Sequence, residues 1–300
     1  MKSKTTILVP TDLSPASRAG MRFAIQWTRQ QDARLVFVHV LRLLRMSSWS
    51  DKQYEAFAAT ERAMYSRRLE RIAAEVCRYM QIGKKTYTTE VVEGMSADIA
   101  LLEFSRQRGE IDLICMTTGG AGKFKKLLGT HTGNLILRSE IPVIAVPAGY
   151  RAKRITRILY ATDLAGYDDE LARILKLTRP LRAEVIVVHF PQPGEPILDP
   201  TFVNKVWEKE YGYPLQLRYQ TGDPALSLAE NLQEAIGKLK PSLVVMFTDQ
   251  QRTHFQRVFY PSQAERLSFQ VKVPLLVMGK NNTGALKRET VRTKIPWHRS

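Results

Sequence analysis

One succession of segments occurs twice in this chain. Ile7-Leu8-Val9-Pro10-Thr11-Asp12-Leu13 returns as Ile158-Leu159-Tyr160-Ala161-Thr162-Asp163-Leu164. Val36-Phe37-Val38-His39-Val40 returns as Ile186-Val187-Val188-His189-Phe190. Asp112-Leu113-Ile114-Cys115-Met116 returns as Ser242-Leu243-Val244-Val245-Met246, and Pro142-Val143-Ile144-Ala145-Val146 as Pro274-Leu275-Leu276-Val277-Met278. The order is the same in both halves, so the sequence is a duplication. The repeated runs are short, β-branched and continuously apolar, as in parallel strands buried on both faces. Between them lie stretches of helical period: 18–30, a long one over 51–80, 97–108, and a short one over 132–139. Alternating strand and helix predicts right-handed βαβ units wound into an α/β sheet with helices on both faces. The expected fold is two tandem doubly wound parallel-sheet domains, over 1–150 and 151–280.

The copies are unequal. The second is much shorter between His189 and Gly222 than the first is between His39 and Gly94. Its connection there holds Pro191, Pro193, Pro196 and Pro200, which excludes a regular helix across it. Residues 281–300 are basic and aperiodic and read as a flexible tail.

The net charge is +16, with +8 on residues 1–150 and +5 on 279–300. Such a balance suits solubility or attraction to phosphates. No nucleic-acid recognition motif accompanies it, so nucleic acid is not an expected partner. No apolar run approaches the roughly 20 residues of a membrane span. Cys77 and Cys115, the only cysteines, imply no disulfide framework. A cytoplasmic protein is expected, without membrane association. No histidine or cysteine spacing suggests a metal site.

In doubly wound sheets, ligands sit beyond the carboxyl ends of strands where the strand order reverses. Two segments of the first copy should meet there: Pro10-Thr11-Asp12, and the loop Thr117-Thr118-Gly119-Gly120-Ala121-Gly122 with its continuation through Lys123, Lys125 and Lys126 to Gly129-Thr130-His131-Thr132. Glycines let backbone amides approach phosphate oxygens, and a helix start adds unpaired N–H groups. Thr130 and Thr132 can cap that helix or donate to phosphate. Asp12 has two readings: a cap on the turn leaving the first strand, or a group that positions magnesium-bound phosphate. In the second copy the corresponding loop has no glycine, and Pro261-Ser262 stands where the first has Gly129-Thr130.

The order strand-Pro-Thr-Asp, strand-His-Val, Asp-Leu-Ile-x-Met, glycine loop, Leu-Leu-Gly-Thr and Pro-Val-x-x-Val resembles the universal stress protein family, whose fold is adenine nucleotide alpha hydrolase-like. The resemblance covers about 5–148, and again about 155–278. Nucleotide-binding members carry Gly-x2-Gly-x9-Gly-Ser/Thr. Gly119 and Gly129-Thr130 fit its last two elements, which puts Met116 at the first glycine; in the alternative register Thr117 takes that place and Gly120 is the second. The resemblance implies a stress-response regulatory protein that binds ATP, with or without Mg2+, and hydrolyses it weakly or not at all; no catalytic residue is assigned. Pro10, Thr11, Asp12 and Val40 would then line the adenine and ribose end. Gly119, Gly120, Gly129, Thr130, His131 and Thr132 would line the phosphates, with Met116 and Thr117 beside them. The family also implies pairing through the last strand, either between the two copies or in a homodimer. Two other readings stay open: a nucleotide-free interaction module of the same family, and an adenylyl-transferring enzyme, whose usual loop after the first strand is not present here.

Overall fold

The computed structural model describes residues 4–83, 86–118, 130–223, 226, 228–248 and 272–279. The chain divides into two compact units, Met1–Lys153 and Arg154–Ser300.

The first unit runs β1 Thr5–Pro10, α1 Arg18–Thr28, β2 Ala33–Leu41, α2 Asp51–Tyr79, β3 Tyr87–Glu93, α3 Ala97–Arg108, β4 Leu113–Thr118, α4 Thr130–Arg138 and β5 Val143–Pro147. Its strands lie in the order β3-β2-β1-β4-β5, and every described pairing is parallel. The chain therefore steps outward from β1 to β3, then crosses back to β4. The order reverses between β1 and β4. Right-handed crossovers then put α1 and α2 on one face and α3 and α4 on the other. The contacts agree: α1 touches α2, and α3 touches α4.

The core follows from the continuously apolar strands. Ile7, Leu8, Val9, Leu35, Val36, Phe37, Val38, Leu113 and Ile114 are fully buried. α1 adds Met21, Phe23, Ile25 and Trp27. The edge strand β3 is different. Its sequence Tyr-Thr-Thr-Glu-Val-Val-Glu is half-buried, and only the ladder with β2 identifies it as a strand.

The second unit repeats the plan: β6 Arg157–Ala161, α5 Tyr167–Thr178, β7 Glu184–His189, α6 Pro200–Tyr211, β8 Leu215–Tyr219, α7 Leu228–Leu239, β9 Leu243–Thr248 and β10 Leu275–Gly279. Its strand order is β8-β7-β6-β9-β10, again parallel throughout the described pairings. The proline-rich connection is not helical until Pro200. There proline occupies the first turn, where a missing N–H costs nothing, and Asp199 caps the Thr201 amide at 3.0 Å. Thus α6 has 12 residues where α2 has 29.

Gly20 sets how closely α1 lies on β4. Its amide donates to Thr117 Oγ1 at 2.8 Å. A Cβ at Gly20 would stand 2.9 Å from that oxygen and 3.1 Å from the Thr117 nitrogen. Alanine gains about 1 kcal/mol over glycine in a helix interior. Overpacking against strand backbone costs about 1–3 kcal/mol, and the Thr117 bond is disturbed as well. The cost wins. Gly20→Ala is expected to lower unfolding free energy by about 1 kcal/mol net in urea titration; an unchanged or raised midpoint would show that α1 is free to move off β4.

Candidate functional site

The site is built on the exit from β1. Leu13 is buried yet takes a left-handed backbone, φ 62°. That conformation costs a bulky residue roughly 1–3 kcal/mol. Neighbouring side chains hold it. Thr11 Oγ1 accepts from the Leu13 amide at 3.0 Å, and Asp12 Oδ1 from the Ser14 amide at 3.0 Å. Thr11 Oγ1 also meets Ser17 Oγ at 2.7 Å, and Ser17 Oγ donates to the Ser14 carbonyl. The turn thus ends β1 and leads directly into α1. Asp12 performs the capping role, and its side chain is exposed.

His39, at the end of β2, locks the same turn from the next strand. Its Nδ1 donates to the Thr11 carbonyl at 2.9 Å. The ring stacks on Tyr65 of α2, centroids 5.1 Å apart and 16° between planes. Burial lowers the His39 pKa from the ordinary histidine value; the Thr11 carbonyl and Asp12 pull it back up, and the positive charge of Arg68 lowers it further.

The register places the candidates at one sheet edge. Ile7 and Leu8 pair with Leu113 and Ile114, so Pro10 falls level with Met116 and Thr11 with Thr117. Pro10 also pairs with Val38, two residues before Val40. Val40 lies half-buried beside Gly94, where a Cβ would come 3.5 Å from its Cγ1 and 2.6 Å from the Ala100 Cβ. Met116 is buried. Thr117 is committed to α1: its hydroxyl accepts from Gly20 and donates to the Ser17 carbonyl at 3.0 Å. Thr11 is buried and committed to the turn. Thr130, His131 and Thr132 open α4, and Thr132 is buried. Gly119, Gly120 and Gly129 lie outside the described residues, as does the second copy's counterpart loop with Pro261-Ser262.

A buried carboxylate unnoticed in the sequence braces the start of α4. Asp98, at the head of α3, accepts from the Ser96 hydroxyl and from Asn134 Nδ2 at 3.0 Å. Both cysteines are free and buried, and burial pushes Cys77 up to about 12, so it is not a thiolate nucleophile. Among the described residues, no group of histidine, cysteine and carboxylate side chains could hold a metal ion. None of the described helices is long and apolar enough to cross a membrane.

The second copy builds the same turn with a different surround. Leu164 has φ 62°, Thr162 Oγ1 accepts its amide at 2.9 Å, Asp163 Oδ1 accepts from Ala165, and His189 Nδ1 donates to the Thr162 carbonyl at 3.0 Å. Where His39 meets Tyr65, His189 meets Glu195 from the proline-rich connection, Nε2 to Oε1 2.8 Å. Where the first copy has Thr117, the second has Phe247, which packs on Tyr160 and carries Arg173 over its ring at 5.0 Å. The Tyr160 hydroxyl is bound between Thr162 and the buried Glu170.

A five-stranded parallel sheet wound on both faces, with its polar turns gathered where the strand order reverses, defines each unit as a doubly wound α/β domain. Residues 4–147 match the universal stress protein family, and the first copy of this chain belongs to it. The second copy repeats its topology strand for strand. Among solved structures, a universal stress protein from Archaeoglobus fulgidus DSM 4304 is similar over both copies: 17% identity, TM-score 0.66, covering 91% of this chain and 98% of that one. A functionally unknown protein from Pseudomonas aeruginosa PAO1 is similar at 15% identity and TM-score 0.55, covering 92% and 93%. At these identities the likeness is one of fold. No curated protein matches the sequence.

His39 gives the site a pH dependence. Its folded pKa lies below its unfolded one. As pH falls through about 6.5, the unfolded chain takes up the proton first, so stability drops. Between about pH 7.5 and 5.5 the urea midpoint should fall more steeply for the natural protein than for His39→Gln. Parallel profiles would show that His39 does not titrate differently on folding.

Proposed function

We propose that the first copy binds ATP at the carboxyl edge around Asp12 and Val40, as a stress-response regulatory domain with little or no hydrolysis. The contrast between two copies of one frame carries this reading. Both keep the Thr-Asp-Leu turn and the histidine that locks it. Only the second sets a carboxylate, Glu195, on that histidine and an aromatic ring, Phe247, at the end of the strand beside the turn. A carboxylate there repels phosphate, and its loop sequence has lost every glycine. The first copy keeps the half-buried Val40, an exposed carboxylate at Asp12, and the glycine and lysine composition that suits phosphate. These residues fit an adenine nucleotide. Val40 and Pro10 offer apolar contact for the base, Asp12 a hydrogen-bond acceptor or a magnesium-facing charge, and the start of α4 amide donors. Among the described residues, Asp12 caps the turn and His39 faces a carbonyl and a tyrosine, which supports binding over hydrolysis.

The Thr11 and Thr117 hydroxyls favour a second reading. Both are bonded within the protein, so neither is offered to a ligand in this conformation. A nucleotide-free interaction domain accommodates that arrangement as well. Calorimetric titration with MgATP separates the two. One site per chain is expected, removed by Gly129→Val with the circular dichroism spectrum unchanged. No heat of binding supports the interaction domain; two sites per chain would overturn the assignment to the first copy.

We propose further that strand-edge pairing is built into the first unit. Within that unit's own order, β5 is an end strand, Val143–Pro147, with a buried apolar sequence. Unpaired edges of this kind invite association. A chain ending after Lys153 is expected to dimerise or aggregate by light scattering. A stable, soluble monomer at high concentration would show that β5 needs no cover.

A further inference from the structure

Among the described residues, some arginines of the first unit pair with carboxylates, Arg22 and Arg29 bond carbonyls, and others, Arg42, Arg78 and Arg106 among them, show neither. Arg18, Arg34, Arg45, Arg62 and Arg108 each hold a carboxylate. Arg67, Arg68 and Arg71 of α2 hold none, and they make no hydrogen bond to any described residue. All three are exposed. With Thr60, Ala63 and Met64 they lie on the exposed side of the helix. Thr60, Met64, Arg67 and Arg71 follow helical spacing and form one stripe. The opposite face of α2 is anchored by the buried Leu69, Ile72, Ala73 and Val76. Tyr65, stacked on His39, fixes this part of the helix at the carboxyl edge of β2, and the charge of Arg68 is felt at His39.

Three guanidinium groups that hold no carboxylate among the described residues span only about 6 Å of helix axis, with the carboxylate of Glu70 between them in sequence. Like charges so close repel one another, at about 0.2–0.5 kcal/mol for a helical pair. A compact, multiply charged anion removes that repulsion. The planar forks of arginine match phosphate oxygens two at a time. An acidic protein fits less well, because Met64 is the one large apolar side chain among these neighbours on α2 and a protein interface needs buried anchors.

We propose that Arg67, Arg68 and Arg71 form a binding site for an anion carrying linked phosphate groups, beside the β2 edge. The site stands on α2 and goes beyond the ATP reading. Inorganic tripolyphosphate is the probe, titrated calorimetrically into the full chain. It is expected to bind the natural protein. Arg67→Gln with Arg71→Gln should weaken it by about tenfold or more, the equivalent of one charge-assisted contact. In proton NMR, bound tripolyphosphate should raise the titration midpoint of His39 by neutralising Arg68, and this shift should vanish in Arg68→Gln. Loss of ATP affinity in the double variant would mean that the phosphates belong to a nucleotide; unchanged ATP affinity would mean free polyphosphate, and either upholds the site. Failure of ATP to bind while tripolyphosphate binds defeats only the ATP reading. The proposal is overturned if tripolyphosphate does not bind, if the double variant binds it normally, or if a glutamate-rich peptide binds in its place.

Discussion

Everything at the carboxyl edge depends on how the chain leaves the central strand. β1 is flanked by β2 and β4, so its exit must turn within a few residues and start α1 on one face. The solution is a buried leucine in a left-handed backbone, held by the threonine and aspartate before it. The strain is offset by burying Leu13, at about 1.5–3 kcal/mol for such a side chain, and by the bonds to its neighbours. The histidine of the next strand completes the lock through the threonine carbonyl. The second copy meets the same requirement in the same way, down to φ 62° at Leu164.

With the frame fixed, the copies diverged in what surrounds the turn. In the first, Thr117 is spent on seating α1, and Gly20 is small enough to allow it. In the second, the equivalent packing is aromatic. Tyr160 and Phe247 fill the space, with Glu170 accepting the tyrosine hydroxyl and burial pushing that phenol well above its usual range. Such a network rigidifies a domain while leaving little polar surface for a ligand. One topology carries two edges of different chemistry.

The long helix is the other divergence. In α2 the buried residues cluster in the second half, and most of the first half is exposed. The extra turns therefore contribute surface more than core. They carry Tyr65 to His39 and set unpaired arginines beside the same edge. In the second copy a short proline-rich connection takes that place and brings a carboxylate onto the equivalent histidine.

The duplication, the parallel sheet and the boundaries of α3 are legible in the sequence, because continuous apolar runs and helical periods are local signals. The register that sets Pro10 level with Met116 is not contained in those runs and comes only from the pairing of β1 with β4. The edge strand β3 is not legible, since its half-buried pattern carries no such signal and only pairing with β2 makes it a strand. Residue types at the turn marked Thr11, Asp12 and Thr117 as polar groups near one edge. What those groups bond to was decided by partners far away in the chain: Thr117 to Gly20, His39 to Thr11 and Tyr65, Asp98 to Asn134. Sequence patterning records which side chains are buried. The direction each one faces, and the partner it finds there, exist only once the strands have assembled.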